Sequence, residues 1–211
     1  MSSEEIAKKV CVYVDGFNLY HAIDDLNDNK LKWLNLNALS KSFLRQGENL
    51  QKVEYFTTVV TWNIQKRMRH EAYIKALKAN GVVVTAGNFK QGDKHCSKNN
   101  VMCPFREEKQ TDVAIGVTMV ADAFEDVFDR AILITADTDQ IPTIKLIQAR
   151  FPNKKVSWIA PPGRMQMARE IGDLIIDRAE LTRGALGTCK FPKIVLDANK
   201  NLVCNRPVEY A

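Results

Sequence analysis

Four aspartates lie where predicted strands end or predicted helices begin: Asp15, Asp112, Asp137 and Asp139. Two of the strands, residues 10–14 and 131–135, are continuous apolar or β-branched runs, which is typical of strands buried on both faces of a parallel sheet. Carboxylates beside such strands are costly unless a positive charge meets them. Their hard oxygens suit Mg²⁺ or Mn²⁺, which bind through carboxylates, water and phosphate. We therefore expect a divalent cation site.

Each aspartate also has a structural explanation when it is taken singly. Asp112 follows Thr111, a candidate helix cap, and an acid in the first turn complements the helix dipole. Asp139 could cap the next helix in the same way. Helix capping explains the four acids together less well, because strand ends and helix starts line the crevice in which open α/β sheets bind ligands.

Strands alternate with helices along most of the chain. The predicted strands cover residues 10–14, 53–60, 82–85, 131–135 and 155–160, and the predicted helices cover residues 19–26, 34–44, 63–79, 111–124, 141–149 and 165–171. This alternation predicts an α/β fold, a three-layer sandwich with a mainly parallel sheet. We expect one domain over residues 1–180, followed by an extension over residues 181–211 that carries a β-hairpin.

Two of the predicted helices carry apolar residues at helical spacing. The predicted inner face of the helix over residues 63–79 consists of Ile64, Met68, Ala72, Ile74 and Leu77. The apolar residues that recur over residues 111–124 are Val113, Val117, Val120 and Phe124. The short strand over residues 82–85 is predicted to be buried.

Residues 87–109 contain Gly92, Pro104 and many polar side chains, and they are too long for a routine connection. They are predicted to form a functional loop, a partly mobile segment or a hairpin. Within them, His95, Cys96 and Cys103 could form part of a zinc site, although the paired CxxC spacing is missing and a fourth ligand is not evident. An insertion that contacts substrate is the alternative.

Three blocks of this sequence together resemble the NYN domain family, which is related to the PIN-like nucleases. They are YVDGFNLYHAI over residues 13–23, EEKQTDVAIGVTMVADAF over residues 107–124 and AILITADTDQIPTI over residues 131–144. The resemblance extends over about residues 10–177. It implies a Rossmann-like, PIN-like fold and a metal-dependent ribonuclease.

The resemblance also implies roles for individual residues. Asp15, Asp112 and Asp137 match direct metal ligands, and Asp139 matches a ligand or a group that acts through water. Asn18 matches the asparagine that supports the first acid. The mechanism implied is in-line hydrolysis of an RNA phosphodiester by a metal-activated water.

The chain of 211 residues carries 30 Lys and Arg against 25 Asp and Glu, a net charge of +5, which permits a phosphate-rich partner without requiring one. Basic residues cluster over residues 66–70 and 90–109, near Trp62, Phe89 and Phe105. These groups could bind phosphates and stack on the bases of single-stranded RNA, or they could simply be solvated faces and core. No signal peptide and no membrane-spanning run are evident, so we expect a cytoplasmic protein without a membrane partner.

Two other functional classes fit the same residues. The acids could hold a structural cation or cap helices in a non-catalytic regulatory or binding module, to which the C-terminal hairpin docks a partner. The protein could instead be a phosphatase that acts on a small phosphorylated molecule. The resemblance also suggests a homodimer, because PIN-like relatives often pair.

Overall fold

The computed structural model describes residues 7–96 and 101–211. Its strands are β1 (Lys8–Asp15), β2 (Glu48–Thr57), β3 (Val83–Ala86), β4 (Asn88–Cys96), β5 (Val101–Lys109), β6 (Arg130–Ile134), β7 (Lys155–Ala160), β8 (Arg178–Glu180), β9 (Ile194–Leu196) and β10 (Leu202–Asn205). Its helices are α1 (Gly16–Asp24), α2 (Leu36–Lys41), α3 (Ile64–Ala79), α4 (Thr111–Phe124), α5 (Ile141–Arg150), α6 (Arg169–Leu174) and α7 (Arg183–Thr188).

A parallel sheet with the strand order β3-β2-β1-β6-β7-β8 forms the middle layer. Both of its faces are covered, and the alternation of side chains along β1 shows this directly. Val12 packs in one hydrophobic core with Leu77 of α3, whereas Tyr13 packs in the other core with Ile115 of α4. The predicted α/β sandwich with a mainly parallel sheet is confirmed, and its fold is PIN-like.

The register of the two central strands positions the predicted acids. Val14 of β1 lies opposite Ile134 of β6, and the two strands run parallel. Asp15, the last residue of β1, is therefore level with the residue that follows β6, and Asp137 comes only two residues later. The two strand ends meet at one edge of the sheet, as the sequence predicted.

Within residues 87–109, β4 and β5 pair antiparallel, which agrees with the hairpin, one of the three predicted alternatives. Asn88 lies opposite Lys109. The last residue of β5 therefore lies beside the first residue of β4, two residues before α4 begins. Lys98, one of the predicted phosphate-binding residues, lies outside the described residues. The strand predicted over residues 82–85 is present as β3, but its predicted burial was wrong, because β3 is an edge strand and Val83 is 47% exposed.

The predicted inner face of α3 was partly wrong, and the recurring apolar residues of α4 lie mostly outside its packing face. On α3, Leu77 is buried as predicted, but Ile64 and Met68 are 67% and 63% exposed, because the helix packs through Tyr73, Ala76 and Leu77. The apolar stripe that recurs along α4 faces outwards, since that helix packs through Ile115, Met119 and Ala123.

The C-terminal segment packs onto the same core as α3. The predicted hairpin is present as the antiparallel pair β9 and β10. Phe191 and Tyr210 lie against Trp33, with ring centroids 5.6 and 6.4 Å from the indole. These contacts join the extension to the α/β layers, and a domain boundary at residue 180 stays a prediction.

Candidate acidic site

Asp15 is the most buried acid at the carboxyl edge of the sheet, with 2% of its surface exposed. Its carboxylate caps α1 by accepting the backbone N–H of Asn18 at 3.0 Å, and it also accepts the Asn18 side-chain amide at 2.8 Å. The hydroxyl of Thr135 donates to the same carboxylate at 2.8 Å. Three donors therefore fix the orientation of one buried carboxylate.

The same polar groups connect the ends of β1 and β6. The Asn18 side-chain oxygen accepts the backbone N–H of Ala136 at 3.2 Å. The Thr135 hydroxyl accepts the backbone N–H of Asp137 at 3.0 Å. Asn18 and Thr135 thus hold Asp137 in a fixed position beside Asp15.

Asp15, Asp112 and Asp137 each offer a carboxylate oxygen within 4.8 Å of the other two. Asp112 comes from the first turn of α4, and Asp137 comes from the loop after β6. The backbone oxygen of Asp112 accepts the side-chain amide of Gln140 at 2.9 Å, which links the start of α4 to that loop.

The electrostatics of the group favour a bound cation. Burial, together with the charges of Asp112 and Glu108, raises the pKa of Asp15 to about 6 against the lowering effect of its hydrogen bonds. Burial and the charges of Asp137, Glu108 and Asp139 raise the pKa of Asp112. Neighbouring carboxylates repel one another, so a divalent cation between them would relieve this cost.

Glu108 is an acid of this site that the sequence analysis missed. Its carboxylate accepts the hydroxyl of Thr111 at 2.6 Å and that of Thr58 at 2.9 Å. A signal was present, since Glu108 precedes the predicted helix by three residues, but only the path of β5 brings it to the sheet edge. Because its charge raises the pKa of Asp15 and Asp112, it lies close enough to influence both.

The structure does not show the capping roles predicted for Thr111 and Asp139. Thr111 does not cap α4, because Gln110, with a φ of 80°, precedes that helix without a side-chain cap. Asp139 does not cap a helix either. Instead, Asp137 accepts the backbone N–H of Asp139 at 2.9 Å. Asp139 lies outside the three-acid group and its role as a ligand stays a prediction.

The acid group fits the expected Mg²⁺ or Mn²⁺ by the chemistry of its donors. The donors are hard carboxylate oxygens from three separate elements, which is the ligand type these ions prefer. The zinc prediction has less support. His95 pairs with Met102 and Cys103 pairs with Lys94, so His95 and Cys103 lie on opposite faces of the hairpin. The side chain of Cys96 lies outside the description, and the zinc site stays a prediction.

Aromatic and basic side chains lie near the acids, as the sequence suggested. Phe89 packs edge to face on Trp62 with ring centroids 4.8 Å apart, and the Arg106 guanidinium lies 4.3 Å from the Trp62 ring centre. Phe89 also contacts Phe17, two residues after Asp15, at 6.2 Å. The hairpin is thus joined to α1 beside the acidic site.

Within residues 7–96 and 101–211, no helix has the length and apolar composition needed to cross a bilayer.

An acidic group at the carboxyl edge of a parallel sheet, within a PIN-like α/β fold, defines the class of protein. The sequence model of the NYN domain family matches residues 9–172, which is most of the chain. The chain belongs to the NYN domain family, and the predicted family is confirmed.

Two known proteins are similar to this chain over most of its length. It is 22% identical over 225 residues to 6-hydroxy-3-succinoylpyridine 3-monooxygenase HspA of Pseudomonas putida, covering 87% of this chain and 70% of that protein. It also resembles a crystal structure of a protein of unknown function from Vibrio parahaemolyticus, with a TM-score of 0.56 and 19% identity, covering 87% of this chain and 98% of the other. The second similarity supports the fold alone.

Proposed function

We propose that this protein is a metal-dependent ribonuclease that hydrolyses phosphodiester bonds in single-stranded RNA. The observation that carries the proposal is the convergence of Asp15, Asp112 and Asp137 within 4.8 Å in a member of a family of PIN-like nucleases. The basic and aromatic residues around Trp62 and Arg106 supply groups that bind phosphates and stack on bases.

The acids have distinct roles in this proposal. Asp15, Asp112 and Asp137 hold a Mg²⁺ or Mn²⁺ ion, which when bound stabilises charge on a phosphoryl group and lowers the pKa of water. Asn18 orients the Asp15 carboxylate, and Asp139 adds negative charge beside Asp112. Glu108 holds the start of α4 through Thr111.

A non-catalytic RNA- or protein-binding module is the alternative of a different class. It would keep the fold and the acids but cleave nothing. A third candidate is a protein that acts on a small molecule, and the Pseudomonas relative is named for the oxygenation of a substituted pyridine. The cavity beside the acidic site, described below, is the observation that favours this third candidate.

The test is cleavage of a labelled single-stranded RNA in the presence of Mn²⁺ by the wild type and by Asp15→Asn, Asp112→Asn and Asp137→Asn. We expect chelator-sensitive cleavage by the wild type and none by the three variants. Glu125→Gln is the matched control, because Glu125 lies at the opposite end of α4 from Asp112. It should cleave as the wild type does.

Each other outcome selects a different interpretation. No cleavage of several RNAs in either metal would favour the binding module. Hydrolysis of mononucleotides without cleavage of RNA would favour a small-molecule phosphatase. Equal cleavage by all variants would indicate a contaminating nuclease and remove the support for the acidic site.

A homodimer is part of the proposal. Phe124, at the outer end of α4, is 80% exposed and continues an outward apolar stripe with Val113 and Val117. Exposed apolar patches of this kind mark interaction surfaces. Light scattering should give twice the mass of one chain, and Phe124→Asp should reduce it; a monomeric wild type would remove the dimer from the proposal.

A further inference from the structure

A cavity of about 240 Å³ opens directly beside the acidic site. Gly16 and Phe17, which follow Asp15 in the chain, form part of its wall. Thr58 lines it as well, and the Thr58 hydroxyl donates to Glu108 at 2.9 Å. Gly16, Phe17 and Thr58 therefore connect the wall of the cavity to residues of the acidic site.

The walls of the cavity are mainly aromatic. Phe17, Tyr20 and Trp62 line its sides, and Tyr20 and Trp62 remain substantially exposed. Tyr210 from the C-terminal segment closes it from the other direction. Aromatic side chains that stay exposed in this way can stack on a flat ring.

The cavity also contains polar groups at its base. The ring of His70 is within 3.1 Å of the Thr57 hydroxyl, and both residues line the cavity. Burial lowers the pKa of His70, which favours the neutral ring, and because Nε2 already pairs with Thr57 the ring has one further nitrogen, Nδ1, as a donor or an acceptor. A neutral heterocycle that carries its own hydrogen-bond donors and acceptors is complementary to these polar groups.

Cations surround the cavity. Arg69 lines it while forming an ion pair with Glu209 at 2.8 Å, and Lys32 lines it while forming an ion pair with Asp24. Lys66 lines it too; its charge lowers the pKa of Asp24, but within the described parts of the chain no direct ion pair holds its ammonium group. Lys66 is therefore available to an anionic group of the ligand.

We propose that this cavity receives the base of one unpaired nucleotide, with the adjoining phosphate held by Lys66 and the next phosphate directed towards the acidic site. The proposal rests on the proposed function, which it deepens by specifying how the substrate is held. A volume of about 240 Å³ is below the roughly 300–1,000 Å³ typical of pockets for drug-sized ligands, so it suits one ring system. Bases within a duplex are stacked and paired, so the cavity selects single strands.

The test is calorimetric titration of AMP and UMP into the wild-type protein, with chelator present so that no metal contributes. Ribose 5-phosphate lacks the base and adenosine lacks the phosphate, so these two probes separate the contributions of the parts, and nicotinate is an unrelated flat ring that tests for a small-molecule site. We expect both nucleotides to bind and both probes to bind more weakly. Trp62→Ala should weaken nucleotide binding about 5- to 150-fold, the range for loss of one base–aromatic stack.

Two matched controls make the result specific. Phe124→Ala removes an exposed aromatic residue at the far end of α4 and should bind nucleotides as the wild type does. Lys66→Ala should weaken nucleotide binding, whereas Lys78→Ala, in the last turn of the same helix, should not.

The proposal would be overturned by wild-type affinity in both Trp62→Ala and Lys66→Ala, by absence of nucleotide binding, or by tight binding of nicotinate alone. The last result would indicate a small-molecule site. Because these titrations involve no cleavage, a failure of the ribonuclease assay would count against the proposed function while nucleotide binding in the cavity still stood. Conversely, if Trp62→Ala leaves the cleavage of RNA unchanged, the ribonuclease proposal would stand, but the cavity would have no role in cleavage.

Discussion

Asp15 combines almost complete burial with three hydrogen-bond donors, and this combination explains its importance in the site. The donors come from Asn18 and Thr135 and hold the carboxylate in one orientation. They favour the ionised form, yet burial raises the pKa of Asp15 to about 6. The metal-free site therefore binds a proton at Asp15 below about pH 6, where a cation must displace it.

Cation affinity should depend on pH in a direction that follows from this pKa. Below about pH 6 the Asp15 carboxyl is protonated in the metal-free protein, so Mn²⁺ binding releases a proton and weakens as pH falls. Calorimetry in buffers of different ionisation enthalpy should detect about one proton released near pH 5 and less near pH 7.5. Equal affinity and no proton release at the lower pH would contradict this account of Asp15.

Thr135→Val tests the groups that orient the acids. The substitution keeps the side-chain shape but removes the hydroxyl that donates to Asp15 at 2.8 Å and accepts the Asp137 N–H at 3.0 Å. We expect Mn²⁺ affinity to fall about 10- to 100-fold, the usual cost of losing an outer partner of a ligand. Thr188→Val, at an exposed hydroxyl on α7, is the control and should bind Mn²⁺ normally. Wild-type affinity in Thr135→Val would show that the hydroxyl does not support the site.

Among the elements, the buried strands were the most predictable from sequence. The continuous apolar runs of β1 and β6 are distinctive because both faces of each strand are buried, and α4 begins and ends at the predicted residues. The packing faces of α3 and α4 were not predictable in the same way. Both helices carry apolar residues on more than one side, and only the neighbouring layers decide which side is buried.

The turn from β1 into α1 requires a glycine at position 16. A Cβ on Gly16 would lie 2.5 Å from the backbone oxygen of Phe56 and 2.6 Å from the ring of Tyr55. We expect Gly16→Ala to destabilise the protein by about 1–3 kcal/mol in chemical denaturation, as overpacking does.

Gly187→Ala is the matched control for that prediction. Gly187 lies in α7, and a Cβ there meets nothing within 4 Å. This variant should be as stable as the wild type or gain up to about 1 kcal/mol from helix propensity. Equal stability of the two variants would contradict the close approach at Gly16.

The complete molecule explains why only part of the site could be predicted. Asp15, Asp112 and Asp137 follow local signals, because strand ends and helix starts converge wherever a parallel sheet forms. Glu108 and the cavity depend on distant segments instead. The hairpin brings Glu108 to the sheet edge, and Tyr210 from the C-terminal segment lines the cavity, so local signals in these segments do not place them at the site.

A buried ion pair at the opposite end of the sheet links distant strands. Arg130 of β6 donates to Glu48 of β2 at 2.8 Å, to Ser157 of β7 at 3.1 Å and to the Phe43 backbone oxygen at 2.9 Å. Burial alone would raise the pKa of Glu48, but hydrogen bonds from Arg130 and Arg45 hold it below its ordinary value.

Glu48→Gln should destabilise the protein by about 3–5 kcal/mol, because it removes the nearest counter-charge of the buried Arg130 guanidinium and leaves only Asp177, at 3.8 Å. Denaturant unfolding measures this directly. Glu71→Gln breaks the exposed pair with Arg67 on α3 and should change stability by only about 0.5 kcal/mol. A small effect at Glu48 would show that water or another group compensates Arg130.

The central claim is that the acids hold a cation that contacts the cleaved phosphate. Its most direct test is a change in the preference for Mg²⁺ or Mn²⁺ when sulfur replaces one oxygen of that phosphate. A single-stranded RNA with sulfur in place of one non-bridging oxygen at the cleaved phosphate would be compared with ordinary RNA in Mg²⁺ and in the softer Mn²⁺. If the acids hold a cation that contacts this phosphate, sulfur should slow cleavage in Mg²⁺ and the rate should recover in Mn²⁺, because Mg²⁺ prefers hard oxygen ligands. Equal slowing in both metals for both sulfur stereoisomers, or no cleavage of either RNA, would contradict the claim.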